Sequence, residues 1–264
     1  MVGTCGFSYD EWRGPFYPSH LGRESMLDYY ADRFQALEID STYYRVPGVA
    51  SARSMVRTAR GRLRFLIKAP GAVTHEGRTD ADATTPFLRF LEPFVDAEVL
   101  AGVLLQFPQS FRPDASGWAH VARLSEVFRE SLRVVELRRE GWDLAQLESQ
   151  GWSVAGVDQP RLAGLSSSLL PARPHGGLAV LRFHGRNAAQ WHTGDARTRY
   201  EYRYSATELQ ELAGVVRETA TKGATTIAFF NNHARGLAVE NAATLATMLG
   251  AAASPGTTEL DLFL

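Results

Sequence analysis

The sequence lacks several features that mark secreted, membrane-bound or nucleic-acid-binding proteins. Its 264 residues include one cysteine, Cys5, which excludes a disulfide within the chain and suits a reducing compartment. No apolar run approaches the roughly 20 residues that span a bilayer, and no basic segment followed by an apolar one opens the chain. The 28 Lys and Arg residues nearly balance the 29 Asp and Glu residues, so the basic excess typical of nucleic-acid-binding domains is missing. We therefore expect a cytoplasmic protein without a membrane partner, and the charge does not favour nucleic acid as a partner.

No low-complexity linker divides the chain. The soft stretches at 166–177 and after residue 251 are interpreted as loops. Hydrophobic residues make up 45% of the chain and charged residues 22%, which is typical of a globular protein. We predict a single domain over residues 1–264 and leave the oligomeric state open.

Short apolar runs recur along the chain, and most of them end on a charged or amide residue before a loop. These candidate strands lie at 2–6, 36–40, 65–68, 103–106, 134–138, 154–158, 180–184 and 227–232. Helical patterns follow most of them, at 24–34, 49–59, 86–94, 116–128, 205–221 and 238–249, with Ser205 and Glu208 spaced as a capping box. Eight such units predict an α/β fold, the TIM (β/α)8 barrel. A weak helix signal after Asp158 and an insertion from Gly185 to Tyr204 predict irregular sixth and seventh units.

The polar residues at the strand ends are expected to meet at one mouth of the barrel. Residues two apart on a strand face the same way, and the carboxyl ends of barrel strands carry the active sites of such enzymes. Pointing outward, these side chains would be trapped between sheet and helices at a cost of several kcal/mol if unpaired. The predicted mouth holds Glu38, Asp40, Lys68, Gln106, Glu136, Arg138, Asp158, Arg182, His184, Asn231 and Asn232.

This set allows two interpretations. In the first, Glu136, His184 and Asp158 are catalytic and transfer protons, while Lys68, Arg138 and Arg182 hold a phosphate or carboxylate. In the second, the same charges form a self-compensating ion network that closes the mouth. Both stay open at the level of sequence.

A metal site is a separate question. His184, Glu136 and Asp158 are the residues that could bind Zn²⁺ or Mn²⁺. No HxH, HExxH or CxxC spacing is present, and the neighbouring cations would repel a divalent ion. The sequence requires no cofactor, and a divalent metal stays open as a minor alternative.

Aromatic residues concentrate in three loops after predicted strands. These are residues 7–18, residues 41–45 with Tyr43, and the seventh insertion with Trp191 and Tyr202. Such rings can stack on a base or a sugar, with Arg186 and Asn187 supplying donors after the seventh strand. The alternative is that they pin long loops onto the rim of the barrel.

Short motifs follow one another in order through nearly the whole chain. They lie at residues 3–9, 14–18, 38–45, 105–108, 136–138, 182–187 and 231–233. Together they resemble the YecE-like proteins, the DUF72 family of unknown function. The resemblance implies a TIM barrel whose fold is similar to sugar-isomerase-type barrels and to metal-dependent endonucleases, but it implies no agreed activity. Cys5 stands where the family has serine, Arg139 where it has histidine, and Asp40 where asparagine is common.

Three functions follow as hypotheses. The first is an enzyme with hydrolase or isomerase/lyase-type acid–base chemistry on a small anionic molecule that bears phosphate or carboxylate, a class that includes nucleotide-like molecules. The second is a metal-dependent phosphodiesterase or endonuclease-like hydrolase. The third is a non-catalytic module whose aromatic loops bind a nucleic acid or protein partner. A fold that is reused this widely does not choose among them.

Overall fold

Parallel strands curl into a nearly closed barrel in this structure, a computed structural model that describes residues 1–163, 165 and 172–251. The tail after residue 251 and part of the loop predicted at 166–177 lie outside these residues. Within the described part there are nine strands: β1 Val2–Cys5, β2 Ala36–Ile39, β3 Arg64–Lys68, β4 Leu100–Phe107, β5 Arg133–Leu137, β6 Trp152–Val154, β7 Gly156–Asp158, β8 Leu178–Phe183 and β9 Thr225–Phe230. The predicted TIM-barrel class is confirmed.

The barrel closes through its sixth strand, which is bent. The strand order is β6-β5-β4-β3-β2-β1-β9-β8-β7, so the two edge strands, β6 and β7, follow each other in sequence on either side of Ala155. The first half pairs with β5 and the second with β8. A Cβ on Gly156 would lie 2.8 Å from the backbone nitrogen of Ala172, so only glycine allows the chain to pass this closely. The single strand predicted at 154–158 is therefore two short strands.

Helices cover the outside of the sheet. They are α1 Met26–Ala31, α2 Val49–Ala59, α3 Gly71–Thr74, α4 Ala81–Asp96, α5 Ala115–Val127, α6 Leu144–Ser149, α7 Ala196–Arg199, α8 Ala206–Ala220 and α9 Leu237–Met248. The Ser205 capping box is present, with the Ser205 amide donating to Glu208 Oε2 at 2.8 Å. Helix α4 begins before the predicted position because Asp80 accepts from the Ala83 amide and caps it. None of the described helices has the length and apolarity needed to cross a membrane.

The sixth and seventh units are irregular, as predicted. The described residues between β7 and β8 contain no helix. Between β8 and α8 the chain forms a long connection with a 3-10 turn at Ala188–Gln190 and the short helix α7. We refer to residues 185–204 as the seventh insertion.

The inside of the barrel changes from apolar to polar along the strands. Its apolar part consists of Cys5, Ala36, Leu66, Leu104, Val134, Ala155, Val157, Leu178, Val180, Ile227 and Phe229. Polar residues then follow two positions later on several strands, as in Val134 to Glu136 and Val180 to Arg182. The apolar plug therefore supports a polar layer at the carboxyl end of the strands.

Candidate functional site

Arg182 is the centre of a buried ion network. Its Nε donates to Glu38 Oε2 at 2.8 Å and its Nη2 to Glu38 Oε1 at 2.6 Å, while Nη1 donates to Glu136 Oε2. Both glutamates are 0% exposed and Arg182 is 2% exposed. Burying these charges is costly, and the bidentate pair with Glu38 and the further pair with Glu136 offset that cost.

His184 extends the network towards Asn231. Its Nε2 lies 3.3 Å from Glu136 Oε2, and its Nδ1 lies 3.0 Å from the amide nitrogen of Asn231. Since an amide nitrogen donates, Nδ1 is assigned as the acceptor and Nε2 carries the proton. Burial lowers the pKa of His184, although Glu136 opposes this effect, so the imidazole is neutral at neutral pH. We call Glu38, Glu136, Arg182, His184 and Asn231 the deep network.

The ionisation of Glu136 is set by its partners. Although burial favours the protonated form, the Arg182 guanidinium and His184 hold the pKa of Glu136 well below its ordinary value. Its second oxygen, Oε1, has no hydrogen-bond partner in the described part of the chain, and Arg138 Nε lies 3.6 Å away. Glu136 therefore remains a carboxylate and links the deep network to the residues above it.

A second set of polar residues lies closer to solvent, and we call Asp40, Lys68, Arg138 and Tyr200 the mouth layer. Lys68 ends β3, is partly exposed, and its Nζ lies 4.4 Å from the centre of the Tyr43 ring. With the described residues, neither the Lys68 ammonium nor the Asp40 carboxyl forms a hydrogen bond or an ion pair. Burial and then Arg182 lower the pKa of Lys68, whereas burial and then Glu38 raise the pKa of Asp40. The two groups are thus both moved towards neutrality.

Arg138 and Tyr200 complete the mouth layer. Arg138 Nη2 donates to Tyr200 Oη at 3.1 Å, and the Arg138 side chain is 19% exposed. Burial opposes ionisation of the Tyr200 phenol, but the charge and hydrogen bond of Arg138, together with the Lys68 charge, lower the pKa of Tyr200. A third titratable group is therefore shifted at the same place.

Aromatic rings from the loops cover the deep network. The Trp191 and Tyr200 rings lie 6.4 and 5.8 Å from the His184 ring, and His233 lies 6.2 Å from Tyr200. Tyr9 stacks on His233 with centroids 4.8 Å apart. The seventh insertion thus folds over the mouth, and the deep network lies beneath it.

A cleft opens beside Lys68. It has a volume of about 460 Å³ and lies between the loops after β2 and β3, where Tyr43, Tyr44 and His75 line it. Tyr44 is 81% exposed, and His75 contacts Tyr43 with ring centroids 4.9 Å apart. Burial, Lys68 and Arg138 lower the pKa of His75 to about 4, so its ring is neutral. Tyr43 thus contacts Lys68 and also lines this cleft.

Asp158 does not lie at the mouth, and its predicted place beside Glu136 and His184 is wrong. Val157 is in register with Arg182 and takes the inward position, so Asp158 faces outward. There it accepts from Tyr204 Oη at 2.7 Å and from Arg186 Nε at 3.1 Å. The bend at Ala155 sets which residues of this strand face inward. The metal set that included Asp158 is wrong for the same reason, because its three residues do not converge.

Five more predicted residues hold loops or backbone in place. Asn232 faces outward and donates to Asn241 Oδ1 at 2.8 Å, and Asn187 donates to the Thr198 carbonyl at 3.0 Å. Arg186 pairs with Asp158 and Glu208. The Tyr202 hydroxyl donates to Glu208 at 2.6 Å, and Gln106 donates to the Phe107 carbonyl at 2.9 Å. Of these five residues, only Gln106 is in register with a residue of the deep network, Glu136.

The structure thus brings most of the predicted residues together and adds one. Glu38, Asp40, Lys68, Glu136, Arg138, Arg182, His184 and Asn231 converge, with Tyr43 and Trp191 at the rim. Tyr200 was not among the predicted site residues. Tyr200 alternates with Tyr202 and Tyr204 in the sequence, and no local pattern shows which of the three tyrosines covers the mouth.

Comparison with known structures identifies relatives of the same barrel. A DUF72 family protein from Thermotoga maritima MSB8 has 34% sequence identity and a TM-score of 0.86, with 94% of this chain and 98% of that chain covered. A DUF72 family protein from Enterococcus faecalis V583 has 24% identity and a TM-score of 0.85, with 98% and 99% covered. These structures share the fold seen here.

Comparison with sequences identifies the family. The UPF0759 protein YunF of Bacillus subtilis (strain 168) is 24% identical over 267 residues, which cover 94% of this chain and 95% of that protein. A family model described as a protein of unknown function, DUF72, matches residues 1–260. The resemblance of the motifs is confirmed, and the chain belongs to the DUF72 family.

Proposed function

We propose that the protein is an enzyme that binds a small molecule with a phosphate or carboxylate group at the mouth of the barrel and transfers protons on it. One observation carries this proposal: in the described part of the chain, Lys68 and Asp40 have no hydrogen-bond or ion-pair partner although both are largely desolvated. The charged groups beneath them, by contrast, are paired. Unpaired desolvated charges reduce stability, and a ligand that pairs with them accounts for their presence.

The anionic group of the ligand is assigned to Lys68 and Arg138. Both are cations of the mouth layer, and the charge of each lowers the pKa of His75. Arg138 offers donors in a planar fork that matches a carboxylate or phosphate, and Lys68 adds a compact charge. The geometry therefore best supports a small anionic molecule as the partner.

Proton transfer is assigned to the mouth layer. Asp40 has a raised pKa and Tyr200 a lowered one, and groups with pKa values near the working pH transfer protons most effectively. Glu136 and His184, the proton carriers predicted from sequence, are 0% exposed and hydrogen-bonded within the deep network. A ligand reaches Asp40 and Tyr200 first, and the role of the two deeper residues is to hold the charges around them.

The other two hypotheses have less support. For a metal-dependent hydrolase, no group of three His, Cys, Asp or Glu side chains suited to a metal ion occurs among residues 1–163, 165 and 172–251. For a binding module, Trp191 is 4% exposed and the Tyr202 hydroxyl donates to Glu208, so the Trp191 ring and the Tyr202 hydroxyl are already engaged within the protein.

Calorimetric titration with inorganic phosphate and with pyruvate tests the proposal. We expect at least one of these anions to bind the wild type, with binding lost in Lys68→Ala and weakened in Arg138→Ala. The matched control is Lys222→Ala, which removes the same side chain from an exposed position near Ala172. Equal affinity in the Lys68 and Lys222 variants, or no binding of either anion, would overturn the proposal.

A further inference from the structure

Lysine is nearly absent from this chain. The 28 basic residues comprise 26 arginines and two lysines, Lys68 and Lys222. The other cations of the mouth, Arg138 and Arg182, keep their charge at every pH that a protein survives. A lysine differs in one chemical respect, because its amine can lose a proton and then act as a nucleophile. One of the two lysines of the chain lies at the mouth.

The surroundings of Lys68 suit a nucleophile. Its Nζ lies 4.4 Å from the centre of the Tyr43 ring, which lines the open cleft, and it forms no ion pair with a carboxylate among the described residues. Burial and then the Arg182 and Arg138 charges lower the pKa of Lys68 and outweigh Glu38 and Glu136, which raise it. Desolvation and neighbouring cations are the two means by which proteins activate lysines for imine formation. Lys222, by contrast, is exposed and contacts the Ala172 carbonyl rather than the charged residues of the deep network.

We propose that Lys68 forms an imine with a small aldehyde or ketone that carries an anionic group. This inference rests on the proposed function and names its substrate class. The Lys68 nitrogen attacks the carbonyl carbon and forms a C–N bond; the C–O bond then breaks, and the oxygen leaves as water with the two protons that the nitrogen gives up. Asp40 is the carboxyl placed to pass these protons, and no oxidant or reductant is needed. Arg138 holds the anionic group.

Reductive trapping of the full-length protein tests the inference. The protein is incubated with pyruvate, with glyceraldehyde 3-phosphate or with acetaldehyde, then treated with sodium borohydride and analysed by peptide mass mapping. Few amines compete, because the chain has two lysines and one terminal amine, that of Met1, which donates to the Thr226 carbonyl. We expect a single adduct on Lys68 with pyruvate or with glyceraldehyde 3-phosphate, and little with acetaldehyde. The anion that gives the adduct distinguishes a carboxylate from a phosphate substrate.

Variants separate this inference from the proposed function. Lys68→Arg keeps the charge and should retain anion binding while losing the adduct completely, and Lys222→Arg should keep both. An adduct spread equally over Lys68 and Lys222 overturns the inference. Absence of any adduct from a wild type that still binds phosphate or pyruvate overturns the imine alone and leaves the proposed function intact. Absence of both binding and adduct overturns both.

Discussion

The deep network and the mouth layer share the ends of β2 and β5 but treat their charges in opposite ways. Glu38 and Asp40 are two residues apart, and so are Glu136 and Arg138. In the deep network the charges form close pairs without solvent, whereas Asp40 and Lys68 in the mouth layer are left without partners in the described chain. One step of two residues towards solvent therefore separates charges that support the barrel from charges that are available to a ligand.

Removal of the central cation should have the largest effect. Arg182→Met leaves the Glu38 and Glu136 carboxylates buried without their main partner, and breaking a buried pair in this way costs about 3–5 kcal/mol of unfolding free energy. Urea denaturation measures the loss. The control is Arg203→Met, which breaks an exposed pair with Glu240 and should cost about 0–1 kcal/mol. Equal losses in the two variants would show that the deep network does not support the fold.

The dependence of stability on pH should report the neutral His184. In the unfolded chain this imidazole protonates near pH 6.5, but burial lowers its pKa in the folded protein. As the pH falls below about 6.5, the unfolded state takes up a proton that the folded state does not, so the unfolding free energy falls by up to about 1.4 kcal/mol per pH unit. Glu136, whose folded pKa is depressed, adds stability that is present above the unfolded pKa and is lost at still lower pH.

Urea denaturation between pH 7 and pH 5 checks this dependence. His184→Gln should reduce the slope of unfolding free energy against pH, and His20→Gln, at an exposed position, should leave the slope unchanged. The slope is the measurement, so a general loss of stability in His184→Gln does not confuse the result. An unchanged slope in that variant would show that His184 takes up its proton equally in the folded and unfolded states, which would contradict the lowered pKa.

The smallest effect is expected for Lys68→Met, which should raise the unfolding free energy where the preceding changes lower it. Lys68→Met removes an ammonium that has no hydrogen-bond or ion-pair partner in the described chain, and relief of its desolvation should raise the unfolding free energy by about 0.5–1 kcal/mol. Thermal denaturation of Lys68→Met and Lys222→Met compares the two lysines, and the exposed one should change stability by less than about 0.5 kcal/mol. Destabilisation by Lys68→Met would place Lys68 with the structural charges of the deep network and remove the contrast between the two layers.

Much of the site follows from strand periodicity. Because alternate residues of a strand face the same side, Glu136 with Arg138 and Arg182 with His184 could be placed inside the barrel from the sequence. The same rule failed for Asp158, since the bend at Ala155 changes which residues of that strand face inward. It also could not separate Asn231 from Asn232, because two adjacent amides at a strand end satisfy either orientation. Local pattern predicts a face only where the strand stays regular.

The sequence by itself determined the order of strands and helices, the polar ends of the strands and the family, because these depend on local patterns and motifs. Only the tertiary structure decided which charges pair and which remain available. Glu38 and Arg182 are separated by 144 positions in the sequence, and they meet because β2 and β8 face each other across a closed barrel. The cover of Trp191 and Tyr200 over the mouth is likewise a result of tertiary packing, in which Tyr200 of the seventh insertion contacts His233 of the loop after β9. Pairing and depth of burial depend on barrel closure, and no local pattern in the chain specifies it.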